Sequence, residues 1–221
     1  HSQNLHSWFA HIPGLKVVMP TTADDAKGLL LESIFDPNPV VFIEHRWLHN
    51  SVADVPSGDH RVPIGRLRTM RTGTDVTIVS MSYMTIEAMH AADFLADRFG
   101  VSADVLDLRT IRPIDWQGIF ESVGRTGRLL VLDSGFTTGS VAGEIIARVS
   151  MELFNKLLDP PRRLAMPDIP EPTSPALTKG FYVRAGDVGN AALDLLGKPR
   201  VDIEAELPEP QPHDVPGSWF K

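Results

Sequence analysis

Two arginines, Arg109 and Arg112, stand in the run Asp107-Leu108-Arg109-Thr110-Ile111-Arg112-Pro113-Ile114-Asp115, between a predicted strand and a predicted helix. Guanidinium groups so placed can hold an anion, or clamp carboxylates of a neighbouring subunit, because the planar fork meets an oxyanion at two points. The histidines are less suited to joint action. His1, His6 and His11 recur every five residues, about 140° apart around a helix, so they cannot converge on one metal ion. His45 and His49 are better spaced but fall where a strand gives way to irregular chain. Ser134, in Asp133-Ser134-Gly135, lacks the Gly-x-Ser-x-Gly turn that exposes a nucleophile. Asp187, in Gly186-Asp187-Val188-Gly189-Asn190, reads as the N-cap of a closing helix. No Walker-type or GxGxxG phosphate loop occurs.

Composition narrows the classes. The chain has 221 residues, 43% hydrophobic and 22% charged, which is ordinary globular composition with enough apolar material for a core. A net charge of -7 argues against a nucleic-acid binder, which would carry a basic stripe. No apolar run approaches the roughly 20 residues that span a bilayer. The absence of cysteine removes disulfides, zinc-thiolate sites and thiol nucleophiles together.

The elements that must position these groups alternate. A short helical stretch over 5–12 leads to a β-branched run over 15–19. Thr21 or Thr22 then caps a helix over 23–35, with Asp24 and Asp25 in its first turn, where the macrodipole favours acids. Asp36-Pro37-Asn38-Pro39 stops that helix, and 40–44 is an apolar strand of the kind buried on both faces. Residues 51–72, with Pro56, Ser57-Gly58 and Pro63, read as a linker. From 73 to 198 a second series follows: strands over 76–81, 103–108 and 129–133, helices over 85–99, 116–123, 140–158 and 187–196, and a short edge strand over 163–165. Such alternation predicts a three-layer α/β/α domain with a mostly parallel sheet. The segment 199–221 is proline-rich and acidic, too poor in apolar surface to order alone. Its Trp219-Phe220 pair favours a second option, docking along a neighbouring subunit.

Several motifs, taken in order, carry a family resemblance. They are Pro13-Gly14-Leu15-Lys16-Val17-Val18-Met19-Pro20, Gly73-Thr74-Asp75-Val76-Thr77-Ile78-Val79-Ser80, the Asp107 to Asp115 run, Leu129-Leu130-Val131-Leu132-Asp133 leading to Gly139 and Gly143-Glu144, and Pro170-Glu171-Pro172. The series resembles the beta subunits of thiamine-diphosphate-dependent 2-oxoacid dehydrogenases, members of the transketolase-like superfamily, from His1 to about Gly197. The resemblance implies that 1–50 is the end of a pyrimidine-binding-type domain and 73–198 a transketolase C-terminal-type domain. The carboxylate that activates the cofactor would then lie upstream of His1.

The remaining implications are these. Thiamine diphosphate and its magnesium ion are held mainly by a partner chain, so no residue here is assigned to cofactor binding. His1 matches a family histidine that assists acyl transfer to a lipoyl group, a task suited to an imidazole that titrates near neutrality. Ser33, Ile34, Asp36 and Asn38 match a potassium-like ion site, where carbonyls freed at a helix end join Asx oxygens. The expected partners are an alpha subunit, a second beta subunit and a lipoyl-bearing acyltransferase, with no nucleic acid or membrane. A bacterial cytoplasm is the expected compartment, with the mitochondrial matrix as the other. The chain alone is expected to be inactive. Two other readings stay open: a non-catalytic assembly module, and the C-terminal half of a split transketolase or deoxyxylulose-phosphate synthase.

Overall fold

A computed structural model describes residues 3–206 and 212–216. Trp219 and Phe220 of the tail lie outside the described residues, as does His1.

Two sheets organise the chain. The smaller has order β2-β1-β6, in which β1 (Lys16–Val18) runs parallel to β2 (Val40–Phe42) and antiparallel to β6 (Thr110–Arg112). The larger has order β3-β5-β4-β7-β8. There β4 (Val76–Ser80), β5 (Ala103–Asp107), β7 (Leu129–Phe136) and β8 (Arg162–Met166) are parallel, and β3 (Arg68–Arg71) adds antiparallel at one edge. The larger sheet is thus the mostly parallel one that the alternation of strands and helices predicts.

Helices cover both faces of the larger sheet. Here α3 (Tyr83–Phe99) and α7 (Ala185–Leu195) pack on one side, and α4 (Trp116–Thr126) and α5 (Val141–Leu153) on the other. Successive strand residues point to opposite faces, and the cores follow that rule. Val76, Ile78, Leu130 and Leu132 belong to the α3/α7 core, whereas Val79, Leu129 and Val131 belong to the α4/α5 core. Burial on both sides explains why these strands are continuous apolar runs rather than alternating ones.

Local chemistry sets the ends. α2 (Ala23–Phe35) starts at Thr22, whose hydroxyl accepts the Asp25 N–H. α3 ends at Gly100 with φ +63°, and the Gly100 N–H caps Ala96 C=O. α7 starts at Arg184 rather than at Asp187. Asp187 is inside the first turn, and its carboxylate accepts the Arg184 N–H at 3.0 Å. The expected cap thus works from the third helical position, as the acidic partner in a capping box does.

Two strands escape the sequence patterns. β3 lies within the stretch read as a linker, and a 3-10 turn over Arg46–Asn50 precedes that stretch. β6 leaves the second series of elements to extend the sheet of the first, with Met19 N–H bonding Arg109 C=O at 2.8 Å. The remaining short helices are α1 (His6–Ala10), α6 (Pro175–Thr178) and α8 (Ile203–Glu206). Among the described residues no helix is long and apolar enough to cross a membrane.

Candidate active site

A cavity of about 560 Å³ opens where the two sheets meet. Its walls come from Gln3–Leu5, from Ile43–Trp47 after β2, from the start of α3 at Tyr83, from the end of β7, and from Phe181 and Tyr182 before α7. Aromatic rings dominate. The His45 ring lies 4.3 Å from that of Tyr83, and Trp47 lies 5.0 Å from Tyr83 and 5.5 Å from Tyr182. Offset and edge-to-face contacts at these distances add to the area buried.

The wall is braced from behind. Arg184 places its guanidinium 5.2 Å from the centre of the Trp47 ring, and its Nε is 3.2 Å from Glu87 Oε1. The second oxygen of Glu87 accepts the Ala185 N–H at 2.8 Å. Burial pushes the Glu87 carboxyl up to about 7, against the pull of Arg184. His45 accepts the Trp47 N–H on Nδ1, and burial, with His49 adding to it, lowers its pKa to about 4. This imidazole is neutral at physiological pH, with Nδ1 accepting and Nε2 carrying the proton. Tyr182 donates its hydroxyl to Glu171, and burial together with that carboxylate pushes the phenol pKa up. The described part of the cavity is thus a shaped, largely aromatic wall.

The segment that leads into this wall is firmly held. Asn4 Nδ2 donates to Ser134 C=O at 3.0 Å. His6 Nε2 lies 2.9 Å from Asp133 Oδ1, with neither side chain reaching solvent. Asp133 also accepts the N–H groups of Gly135 and Ala142 at 2.8 and 3.0 Å. Burial works to raise the Asp133 carboxyl, but the bonds from His6, Gly135 and Ala142 outweigh it and hold the pKa below the usual carboxylate range. An ionised Asp133 fixes His6 Nε2 as the donor.

Other candidate residues are placed apart from this cavity. Arg109 turns inward. Its Nη1 donates to Asp25 Oδ1 at 2.7 Å, Nε and Nη2 donate to Arg66 C=O, and Nη2 also reaches Leu67 C=O. With its donors engaged inside the chain, Arg109 does not present an anion site, and it separates from Arg112, which is exposed at the end of β6. Around the end of α2, Ser33 donates to Leu29 C=O at 2.6 Å and Ile34 is exposed. Asp36 accepts the Asn38 N–H at 2.8 Å and pairs with Lys16, which is the main reason its pKa is lowered. These side chains form an Asx turn with a lysine paired to its carboxylate. No group of three or more His, Asp or Glu among the described residues converges to hold a metal.

Comparison with known proteins places these features in a lineage. The transketolase C-terminal domain matches residues 65–188, and the transketolase pyrimidine-binding domain matches 1–50. The chain belongs to the transketolase family. It is 46% identical over 192 residues to the pyruvate dehydrogenase E1 component subunit beta of Rhizobium meliloti, covering 86% of this chain and 42% of that protein. It is 40% identical over 192 residues to an acetoin:2,6-dichlorophenolindophenol oxidoreductase subunit beta of Cupriavidus necator, covering 87% and 56%. With the 2-oxoisovalerate dehydrogenase subunit beta of Bacillus subtilis the identity is 39% over 197 residues, covering 88% and 60%. Among solved structures, a split gene transketolase described as an inactive beta4 tetramer superposes with a TM-score of 0.73 at 25% identity, covering 87% of this chain and 61% of that one. The chain spans about half the length of the curated relatives it matches.

The cavity residues that sequence reasoning missed are the walls Trp47, Tyr83 and Tyr182 and their brace, Glu87 and Arg184. They are scattered over more than 130 positions, and nothing local links them. Only a fully buried carboxylate on an otherwise apolar helix face, Glu87 on α3, carried a signal.

Proposed function

We propose that this chain is the C-terminal part of the beta subunit of a thiamine-diphosphate-dependent 2-oxoacid dehydrogenase. The observation that carries the reading is identity of 46% and 39% to the beta subunits of a pyruvate and a 2-oxoisovalerate dehydrogenase, with 40% to that of an acetoin oxidoreductase beside them, over both matched domains. When bound, thiamine diphosphate would supply the carbanion and electron sink that decarboxylation needs. In this reading the diphosphate and its magnesium ion are held mainly by an alpha subunit.

This chain's own contribution is structural and protic. The aromatic cavity lies beside Gln3–Leu5, and His1, two residues before Gln3, exchanges a proton during acyl transfer to a lipoyl group. The His6–Asp133 and Asn4–Ser134 bonds fix the chain that follows His1. Isolation should silence it, in line with the inactive beta4 state of the related split transketolase. Further polypeptide is also called for by the face around β2. α2 exposes Ile34 (65%) and Phe35 (61%), α1 exposes Trp8 (72%), and β2 pairs only with β1 among the described residues.

The test is reconstitution of the complete beta chain with its alpha partner, followed by dye reduction with the 2-oxoacids pyruvate and 3-methyl-2-oxobutanoate and with the hydroxyketone acetoin. Turnover with a 2-oxoacid that requires thiamine diphosphate supports the reading, and turnover with acetoin alone overturns it. A reconstituted complex inert with all three points to the assembly-module alternative.

A further inference from the structure

We propose that the cavity bounded by α1, β6, α5 and β8 binds a small molecule carrying a phosphate group. It measures about 730 Å³, within the range of small-ligand sites. Three guanidinium groups from three separate elements line it: Arg112 at the end of β6, Arg148 on α5 and Arg163 on β8.

What sets these three apart is that they share one cavity without a carboxylate partner. Many arginines elsewhere are matched to carboxylates inside the chain, as Arg68 is to Asp24 and Asp25, Arg109 to Asp25, Arg125 to Asp104, and Arg184 to Glu87, and Arg128 donates to the carbonyls of Leu195 and Asp75. Arg112, Arg148 and Arg163 have no carboxylate within 4.0 Å among the described residues. One acid, Glu144, also lines the cavity, and Asp168 acts on Arg163 from outside it, so three guanidinium groups face two carboxylates and positive charge is left in excess. In a protein of net charge -7 this island is not a by-product of composition. Like charges gathered on a low-dielectric wall repel one another, and an anion relieves that repulsion.

The forks are also partly fixed beforehand. The Arg148 guanidinium stacks 4.3 Å from the centre of the Trp116 ring, and Arg163 Nη1 donates to Ser140 Oγ at 3.4 Å. Planar forks held this way suit the multiple oxygens of phosphate better than a single carboxylate. The start of α5 is not the source of the attraction, because Asp133 already takes the Ala142 N–H and Ser140 the Gly143 N–H.

Isothermal titration of inorganic phosphate into the assembled enzyme, at constant ionic strength and with thiamine diphosphate saturating, tests the site. Saturable binding is expected, weakened about tenfold by Arg112→Gln and again by Arg163→Gln, since each removes one charge-assisted contact. Lys179→Gln, at a different cavity, should leave it unchanged. Arg112 and Arg163 are exposed, so both variants should fold, and circular dichroism checks that they do. Absence of saturable heat, or equal affinity in the Arg112/Arg163 double variant, overturns the proposal. So does a double variant that binds no less phosphate but dissociates on sedimentation, which would assign the cluster to a subunit contact.

Discussion

His6 Nε2 and Asp133 Oδ1 meet at 2.9 Å in a place neither side chain shares with solvent, joining the first helix of the chain to the end of a central strand 127 residues later. The bond closes a junction between the two sheets that no backbone ladder supplies at that point. Replacing His6 by leucine leaves Asp133 with two N–H donors and a buried charge short of one partner. The expected loss is about 2 kcal/mol of unfolding free energy, read from urea denaturation. Faster amide exchange over residues 4–10 should accompany it. An unchanged midpoint together with unchanged exchange would mean the pair is idle.

Arg109 ties α2 to the approach to β3 through Asp25 and the carbonyls of Arg66 and Leu67. Arg109→Met keeps most of the stem but leaves the buried Asp25 carboxylate with Arg68 as its remaining cation. A loss of about 3 kcal/mol is expected, and Arg109→Lys should recover only part of it because an ammonium cannot span three acceptors. Thermal denaturation of the three proteins side by side decides the matter. Full recovery by lysine would show that charge alone matters.

Asp107 sets a pH dependence whose sign can be worked out. Burial pushes its carboxyl from 3.8 up to about 7, with the Thr21 hydroxyl and the Arg109 N–H pulling the other way. The folded state therefore keeps a proton that the unfolded chain has already released. Stability from this group is complete below about pH 4 and is lost as pH rises through 7. Glu87, raised from 4.5 to about 7, acts in the same direction. Asp107→Asn should flatten the fall in stability between pH 4 and 7 and leave the protein more stable than the parent at pH 8. Parallel pH profiles for parent and variant would contradict this.

Two glycines should respond very differently to alanine. A Cβ on Gly73 would stand 2.2 Å from the backbone carbon of Ala103, and main chain on a central strand cannot yield. Gly100 has open space around it and only a positive φ to defend. Gly73→Ala should cost about 3 kcal/mol and Gly100→Ala about 1 kcal/mol, measured by chemical denaturation. Equal costs would indicate that β4 and β5 can separate locally.

The sequence was most legible where the deciding interactions are close along the chain. Thr22 with Asp24 and Asp25 at one end, and Asp36-Pro37 at the other, bound α2 at the residues expected. The runs over 76–81 and 129–133 declared strands, whereas the strand over 40–44, expected to be buried on both faces, is half-buried at the edge of the smaller sheet. β3 was illegible because Arg-Thr-Met-Arg has no apolar pattern and is ordered by its ladder with β5. β6 was missed for a related reason, since Thr110–Arg112 pairs with a strand more than 90 residues earlier. Charge could be read for Arg109 and Arg112, but not direction, and one faces the interior while the other faces a cavity. The cavity wall stayed hidden because Trp47, Tyr83 and Tyr182 become neighbours only after both sheets are in place.

Calorimetric titration of magnesium and thiamine diphosphate tests the division of labour most directly, comparing this 221-residue chain alone with the complete beta subunit bound to its alpha partner. No measurable binding to the chain alone and tight one-site binding to the complex is the outcome predicted. Tight, magnesium-dependent binding to the isolated chain would place the cofactor's anchor within it and contradict the account.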